Sequence, residues 1–345
     1  MVAGYRAIAL QTKCYAVNNA VSREEALVTI KQNLQRLKSQ IQASCSFVGA
    51  DTKLIVLPEY FLTGFPIKES IEEWKHKACI MPGDEIYESL CNIASENSVY
   101  LVGNVYELDD NFPDLYFQTC FIASPSGRII LRYRRLTSMF TPTPHDVLDK
   151  YIEIYGVESL FPVAKTEIGN LACLASEEIL YPEIARCLAM RGAEVFCHCT
   201  SEIYGIRNAP KDVAKLARAY ENMAYVVSAN SAGIANIPIP ESSTDGGSKI
   251  VDYRGLVLAE TAQGESMSAF AEIDIEALRR YRRRPGLANL LSRQRFELFA
   301  HFYSSTSFYP ANNLLGKKPD RKHFYETQRS VIEKLIEKRR NIKLF

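Results

Sequence analysis

Three side chains in this sequence stand where a reaction could be carried out. The apolar run Leu171-Ala172-Cys173-Leu174-Ala175 ends at Ser176-Glu177-Glu178, and Tyr181-Pro182-Glu183 then opens a helix-like stretch. Leu54-Ile55-Val56-Leu57 is stopped by Pro58 and followed by Glu59, and the segment Ile129 to Tyr133 runs into Arg134-Arg135. Each of the three therefore follows a strand end, the edge of an α/β sheet where loops converge over a rigid support and ligands bind. An acid, a cation and a hydroxyl gathered there suit acyl transfer. The acid takes the nucleophile's proton, and the cation stabilises charge developing on a carbonyl oxygen. Each residue also has a plainer role: Glu59 as a surface loop acid, Arg135 as an exposed arginine, Ser176 as a helix N-cap.

The elements that must position these residues follow from hydrophobic period and breakers. Strands are expected at Tyr5 to Gln11, Leu54 to Leu57, Tyr100 to Tyr106, Tyr116 to Ala123 and Ile129 to Tyr133, with the turn Pro125-Ser126-Gly127 before the last of these. Further strands are expected at Asn170 to Ala175, Val195 to Cys199, Tyr225 to Ala229, Lys249 to Asp252, Leu256 to Glu260 and Ser268 to Ile273. Helices are expected over Glu24 to Gln42, Gly83 to Glu96, Pro182 to Met190 and Lys211 to Met223. Strands alternate with helices in some places and pair directly in others. That mixture predicts an α/β fold in which two stacked sheets with helices outside bury the apolar strands on both faces. No Gly/Ser/Pro linker divides the chain before Ile273, and no internal repeat is visible. Beyond it the character changes: short helices are expected at Glu276 to Tyr281 and Leu287 to Phe299, and a charged helix at Tyr325 to Arg340 suited to packing on a partner subunit.

Composition excludes several classes. The 345 residues carry 41 basic and 40 acidic side chains, a formal charge of +1, which gives no reason to expect nucleic acid or an anionic membrane as partner. The Arg279-Arg280-Tyr281-Arg282-Arg283-Arg284 cluster is expected to be a solvated face or to pair with an acid. No run reaches the roughly 18 apolar residues of a membrane span, and the N-terminus lacks a signal-peptide layout, so cytoplasmic residence is expected. Nine cysteines, an odd number and partly in apolar runs, read as free buried thiols rather than a disulfide framework. In Cys197-His198-Cys199 the two thiols share one strand face and the imidazole the other, with no second ligand pair elsewhere. No metal or cofactor is therefore expected, and no glycine-rich phosphate loop is present.

The ordered motifs carry a resemblance. Leu57-Pro58-Glu59-Tyr60 with Gly64-Phe65, then Gly127 to Arg135, then Gly169 to Glu178 with Tyr181-Pro182-Glu183 and Arg186, are similar to the signatures of the nitrilase superfamily, the carbon–nitrogen hydrolases. Gly192-Ala193-Glu194-Val195, Arg218 to Asn222, Ala229-Asn230 and Gly247 to Gly255 resemble its later landmarks in order. The resemblance covers about residues 4 to 275 and implies a carbon–nitrogen hydrolase-like domain over 1–275, with 276–345 as a C-terminal helical extension at an oligomer interface. It implies a four-layer αββα sandwich, a homodimer or higher homo-oligomer, and a glutamate base, lysine and cysteine nucleophile acting on small amides, nitriles or carbamoyl compounds. Carried over, Glu59 falls at the base, Arg135 at the lysine and Ser176 at the cysteine.

Those last two positions depart from the family pattern. A thiol near ~8.5 supplies some thiolate at neutral pH, whereas a serine hydroxyl needs a base to remove its proton. A guanidinium beside Glu59 would form an ion pair with it and make it a weaker base. Cys173 is turned to the opposite strand face from Ser176. His145 is the imidazole available to serve as the missing base. Tyr60 and Glu178 are expected beside the three central residues, and Cys199 and Ser201 on the pocket wall, which also draws on loops 61–68, 138–155 and 201–210. Three readings stay open: a divergent hydrolase acting on a small amide or related C–N bond, a silent cleft binding a small carboxylate or other anion through Arg135, and a purely structural oligomer, which explains the terminal helix but not Glu59.

Overall fold

The computed structural model of the chain describes residues 2–203 and 209–340; positions 204–208 of the expected pocket-wall loop lie outside the described residues. Strands in the first half of the chain are Tyr5–Ala9 (β1), Cys14–Tyr15 (β2), Thr52–Val56 (β3), Tyr100–Glu107 (β4), Phe117–Ala123 (β5) and Ile129–Arg134 (β6). The second half contributes Ala164–Thr166 (β7), Gly169–Ala175 (β8), Val195–Cys199 (β9), Tyr225–Ala229 (β10), Ile234–Ala235 (β11), Lys249–Val251 (β12), Val257–Glu260 (β13) and Phe270–Ile273 (β14). The α-helices are Arg23–Val48 (α1), Ile71–Ala78 (α2), Glu85–Glu96 (α3), Leu148–Tyr155 (α4), Pro182–Met190 (α5) and Pro210–Asn222 (α6). The C-terminal segment adds Ile275–Arg283 (α7), Glu297–Ser304 (α8) and Arg321–Arg340 (α9).

The strands form two six-stranded sheets, ordered β14-β1-β3-β4-β5-β6 and β13-β12-β10-β9-β8-β7, with β2 and β11 as a separate pair. Each sheet has three parallel strands at its centre, β1-β3-β4 in one and β8-β9-β10 in the other, and antiparallel strands outside them. Alternate residues of one strand serve different cores, as the period of two requires. Ala7, Leu54 and Val56 lie in the core shared with the second sheet, toward which Cys173, Cys197 and Cys199 point. Ile8, Ile55 and Leu57 face the helices with Ile30, Leu37, Trp74 and Leu90. Strands apolar on both faces thus produce the four-layer αββα sandwich, with α1 to α3 covering one sheet and α5 and α6 the other. Among the described residues no helix is long and apolar enough to cross a membrane.

Local departures from the sequence expectation have identifiable causes. Helix α1 continues past Gln42 to Val48 because Ile41, Ser44 and Val48 prolong the buried stripe, and Gly49 ends it at φ 121°. Helix α2 was not anticipated, although Ser70 and Glu73 form a reciprocal capping box that marks its start. The helix expected over Leu287 to Phe299 does not form: a 3-10 turn covers Leu291–Arg293 and α-helix begins at Glu297. Leu291 packs on the core, but Leu287 is 83% exposed and Leu298 65% exposed, so the segment buries no continuous apolar stripe within this chain and local period alone does not fix a helix.

The C-terminal segment is tied to the sandwich at several points. Ile275 and Leu278 of α7 are fully buried, Arg279 pairs with both oxygens of Glu194 at 2.7 and 3.0 Å, and Arg282 donates to the carbonyls of Met223 and Ala193. The basic cluster is thus partly spent on internal anions and carbonyls. Further on, Asn312 N–H donates to the His145 carbonyl and Leu314 N–H to that of Asp146, while Leu314 and Phe324 enter the same core as α1 to α3. Arg321, at the start of α9, donates to the carbonyls of Glu69 and Phe140 and to Tyr116 Oη. Truncating the buried ring in Phe324→Ala should cost about 3–5 kcal/mol, the usual range for emptying such a site. A chemical-denaturation curve checks it; a loss under ~1 kcal/mol would show that α9 is not anchored there.

Candidate functional site

Ser176 sits one residue past the end of β8 with φ 52°, in the left-handed region that side-chain-bearing residues seldom adopt. The following turn, Ser176–Leu180, is 3-10, and the Ser176 hydroxyl makes no capping bond there. The strained backbone is held from below. His198 Nε2 lies 2.8 Å from the Ser176 carbonyl and His198 Nδ1 lies 2.8 Å from Ser228 Oγ. A carbonyl only accepts, so Nε2 carries the proton and Nδ1 accepts from the serine. Full burial, aided by the Lys215 charge, drives the His198 pKa well below its usual value, so the ring is neutral. From the side, Arg218 of α6 donates to the carbonyls of Ile179 and Leu180, fixing that helix against the turn.

Glu59 and Arg135 are brought together from the other sheet. Glu59 follows β3 and is anchored by its own N–H donating to the Thr200 carbonyl at 3.1 Å. Its Oε1 accepts from Arg135 Nη1 at 3.1 Å and from Gln118 Nε2 at 2.8 Å. Its Oε2 is buried and, among the described residues, has no hydrogen-bond partner. Arg135 is buried and spans two acids, meeting Glu177 Oε1 with Nη2 at 2.5 Å; it also donates to Gln118 Oε1 and to the Thr137 carbonyl. Burial opposes the guanidinium charge, yet Glu59 and Glu177 hold its pKa above the usual value.

The hydrogen-bond partner of Ser176 Oγ is not Glu59 but Lys211. Lys211 Nζ of α6 is 3.3 Å from Ser176 Oγ and 3.2 Å from Thr200 Oγ1. Ala175 and Cys199 are register partners on the parallel strands β8 and β9, so the next residues, Ser176 and Thr200, stand side by side beneath one ammonium. Burial lowers the Lys211 pKa. This contact is not legible from residue types, because they do not trace the path from Thr200 to Pro210. Glu177 and His198 were likewise missed as partners of Arg135 and Ser176.

A cavity of about 580 Å³ joins these groups, lined among others by Tyr60, Tyr106, Arg135, Ser176, Glu177, Ser201, Lys211 and Arg321. Tyr60 forms part of its wall with Phe65, the ring centroids 4.9 Å apart; burial first and the Glu59 charge second raise its phenol pKa. Ser201 lines the same space. Cys199 does not: it is fully buried in the core between the sheets with Cys173 and Cys197. His145 is also elsewhere, in an adjoining cavity of about 470 Å³ against Tyr309, because the turn Pro144–Val147 aims it away from Ser176. Among the described residues no group of three or more His, Cys, Asp or Glu is arranged to hold a metal.

Glu178 lies beside the three central residues and braces them. Its Oε1 accepts from the N–H groups of Leu136 and Thr137, and its Oε2 from Ala175 N–H and Tyr133 Oη. The carboxyl is completely buried, and desolvation pushes its pKa up to about 7 against these donors and Arg135.

Comparison with known proteins agrees with this architecture. Residues 6–283 match the carbon-nitrogen hydrolase family model. Omega-amidase NIT3 of Saccharomyces cerevisiae is 27% identical over 278 residues, covering 78% of this chain and 89% of the yeast protein. A nitrilase of Pyrococcus abyssi is 28% identical, covering 67% of this chain and 80% of its own, and a formamidase of Bacillus cereus is 28% identical, covering 67% and 64%. The crystal structure of yeast Nit3, a member of the nitrilase superfamily, superposes with a TM-score of 0.62 at 21% identity, covering 81% of this chain and 93% of that one. The chain belongs to the carbon-nitrogen hydrolase family.

A carboxyl whose folded pKa exceeds its unfolded value favours the folded state in its protonated form. The Glu178 contribution is therefore full below the ordinary value of 4.5 and lost as pH rises through about 7, a swing of ~3 kcal/mol. Urea unfolding at pH 5 and pH 8 should show this loss in the parent chain and not in Glu178→Gln; an equal pH dependence in both would refute the assignment.

Proposed function

We propose that this chain hydrolyses a small amide or related non-peptide C–N bond, with Ser176 at the family's cysteine position as nucleophile and Arg135 at its lysine position. One observation carries the reading: Ser176, held in a strained turn at a central strand end, opens on the same cavity as Arg135, whose acid partner Glu59 keeps one oxygen unengaged. The hydroxyl oxygen attacks the carbonyl carbon, the C–N bond breaks to release the amine, and water then cleaves the acyl-serine ester. Glu59 Oε2 is the oxygen left to orient the departing nitrogen or the hydrolytic water by a hydrogen bond while its proton is exchanged. Arg135 fixes Glu59 and supplies positive charge toward the carbonyl oxygen.

A silent anion-binding cleft needs Arg135 free to take a carboxylate through two parallel bonds, whereas its Nη1 is engaged by Glu59 and Gln118 and its Nη2 by Glu177. The Glu59 contact is one nitrogen to one oxygen, with Arg135 shared between two acids. Relatives named omega-amidase and formamidase favour an amide as substrate, and the cavity volume suits a small molecule. The function needs no partner macromolecule, and cytoplasmic residence remains part of the proposal. Ammonia release from a panel of short aliphatic amides and dicarboxylate monoamides tests it. Ser176→Ala should abolish turnover, and Glu59→Gln should lower kcat/KM by about 10²–10⁴-fold, the usual share of acid–base catalysis. Unchanged turnover in Ser176→Ala would overturn the reading.

We also propose that residues 276–345 act as an extension of the domain at 1–275 and pack against a second copy of the chain. Beyond the anchors Leu314 and Phe324, the apolar residues Leu298, Phe302 and Ile332 stay exposed. Light scattering should report a homodimer or larger assembly that Phe302→Glu weakens; a monomer at micromolar concentration would remove this assignment.

A further inference from the structure

We propose that Lys211 is the base that draws the hydroxyl proton from Ser176, so that the acyl-enzyme is formed by a serine–lysine pair. The inference rests on Ser176 being the nucleophile, and it supplies what a serine at that position lacks. Geometry is the first support: the Nζ–Oγ separation is 3.3 Å, within reach for proton transfer after slight closure on substrate. The second is the surroundings of the amine. Its two hydrogen-bond partners, Ser176 and Thr200, are neutral hydroxyls, and among the described residues no carboxylate lies within ion-pair distance. Lys215, one turn along α6, is by contrast paired with Glu202 and Asp212. One helix therefore carries a lysine committed to its charge and a lysine that is not.

Four charges bear on Lys211. Glu59 and Glu202 favour its ammonium form; Arg135 and Lys215 disfavour it. Burial is the largest influence and outweighs the acids, so the net effect lowers its pKa. His198, beneath the serine, is neutral and adds no charge to the balance.

The step balances without a co-reactant. The Oγ–H proton passes to the Nζ lone pair as the Oγ–C bond forms and the carbonyl electrons move onto oxygen. When the tetrahedral adduct collapses, the C–N bond breaks and the nitrogen leaves with a proton from the Lys211 ammonium. In deacylation the same amine takes a proton from water, and Oγ recovers it on departure. Arginine cannot perform this exchange, because its guanidinium does not give up its proton at working pH. That makes Lys211→Arg a discriminating substitution, since it keeps the charge and approximate reach.

p-Nitrophenyl acetate serves as the probe, with nitrophenolate release read in a stopped-flow burst and the acetyl adduct located by peptide mass spectrometry. The parent chain should acetylate Ser176 with a rate that rises through an inflection below 10.5, the ordinary lysine value. Lys211→Arg and Lys211→Gln should slow the burst by about 10²-fold or more and lose that inflection. Should Lys211→Gln melt early, Lys211→Arg carries the comparison. Equal bursts and equal pH profiles in the parent and Lys211→Arg would overturn this proposal while leaving Ser176 as nucleophile. An inflection abolished by Glu59→Gln instead would assign the base to Glu59 and overturn it likewise. Absence of acetyl from Ser176 in the parent chain would remove the nucleophile reading and this inference together.

Discussion

The arrangement at the cleft depends on one carboxyl that never reaches it. Glu178 collects two backbone amides from the loop after β6, one from the end of β8 and the Tyr133 hydroxyl. β6 belongs to one sheet and β8 to the other, so a single buried side chain fixes how the two sheets meet at their working ends. The ion pair from Arg135 to Glu177 and the backbone bond from Glu59 to the Thr200 carbonyl repeat the tie from other directions. Three ties across one seam hold Glu59 and Arg135 opposite Ser176, an arrangement that packing of apolar faces alone would leave free to slide.

The strain at Ser176 has to be read with those ties. A non-glycine residue in the left-handed region stores of order 1–3 kcal/mol and persists only where its surroundings over-determine it. Here the carbonyl is held by His198 and the next turn by Arg218, so the hydroxyl is directed outward and is not consumed in capping the helix. Burial of His198 keeps it an uncharged donor, so the support beneath the serine brings no net charge into the cleft. The charges that do face the cavity, Arg135 between its two acids and Lys211 on its two hydroxyls, differ in how tightly they are spoken for.

Much of this was legible in the sequence. Period-two and continuous apolar runs located most sheet strands within a residue or two, and the residues just beyond them, Glu59, Arg135 and Ser176, followed directly. Contacts that depend on where a chain returns were not legible. Lys211 is 35 positions from Ser176 in sequence, and its approach depends on the route out of β9. His145 has the right chemistry and the wrong place, since a proline-led turn directs it into a separate cavity. Glu178 stands beside the three central residues as its position after Ser176 suggested, and its place within a 3-10 turn points it inward as a brace. The segment 287–299 shows the opposite failure: helical period without a surface to bury it.

The inventory of sulfur has a further consequence. Of the nine cysteines, six are fully shielded within the sandwich and three are partly covered, and none borders the main cavity. An alcohol, unlike a thiolate, cannot climb from sulfenic to sulfonic acid or form a mixed disulfide. On the proposed reading, in which Ser176 is the nucleophile, the centre withstands peroxide and glutathione disulfide, both of which oxidise an exposed thiolate.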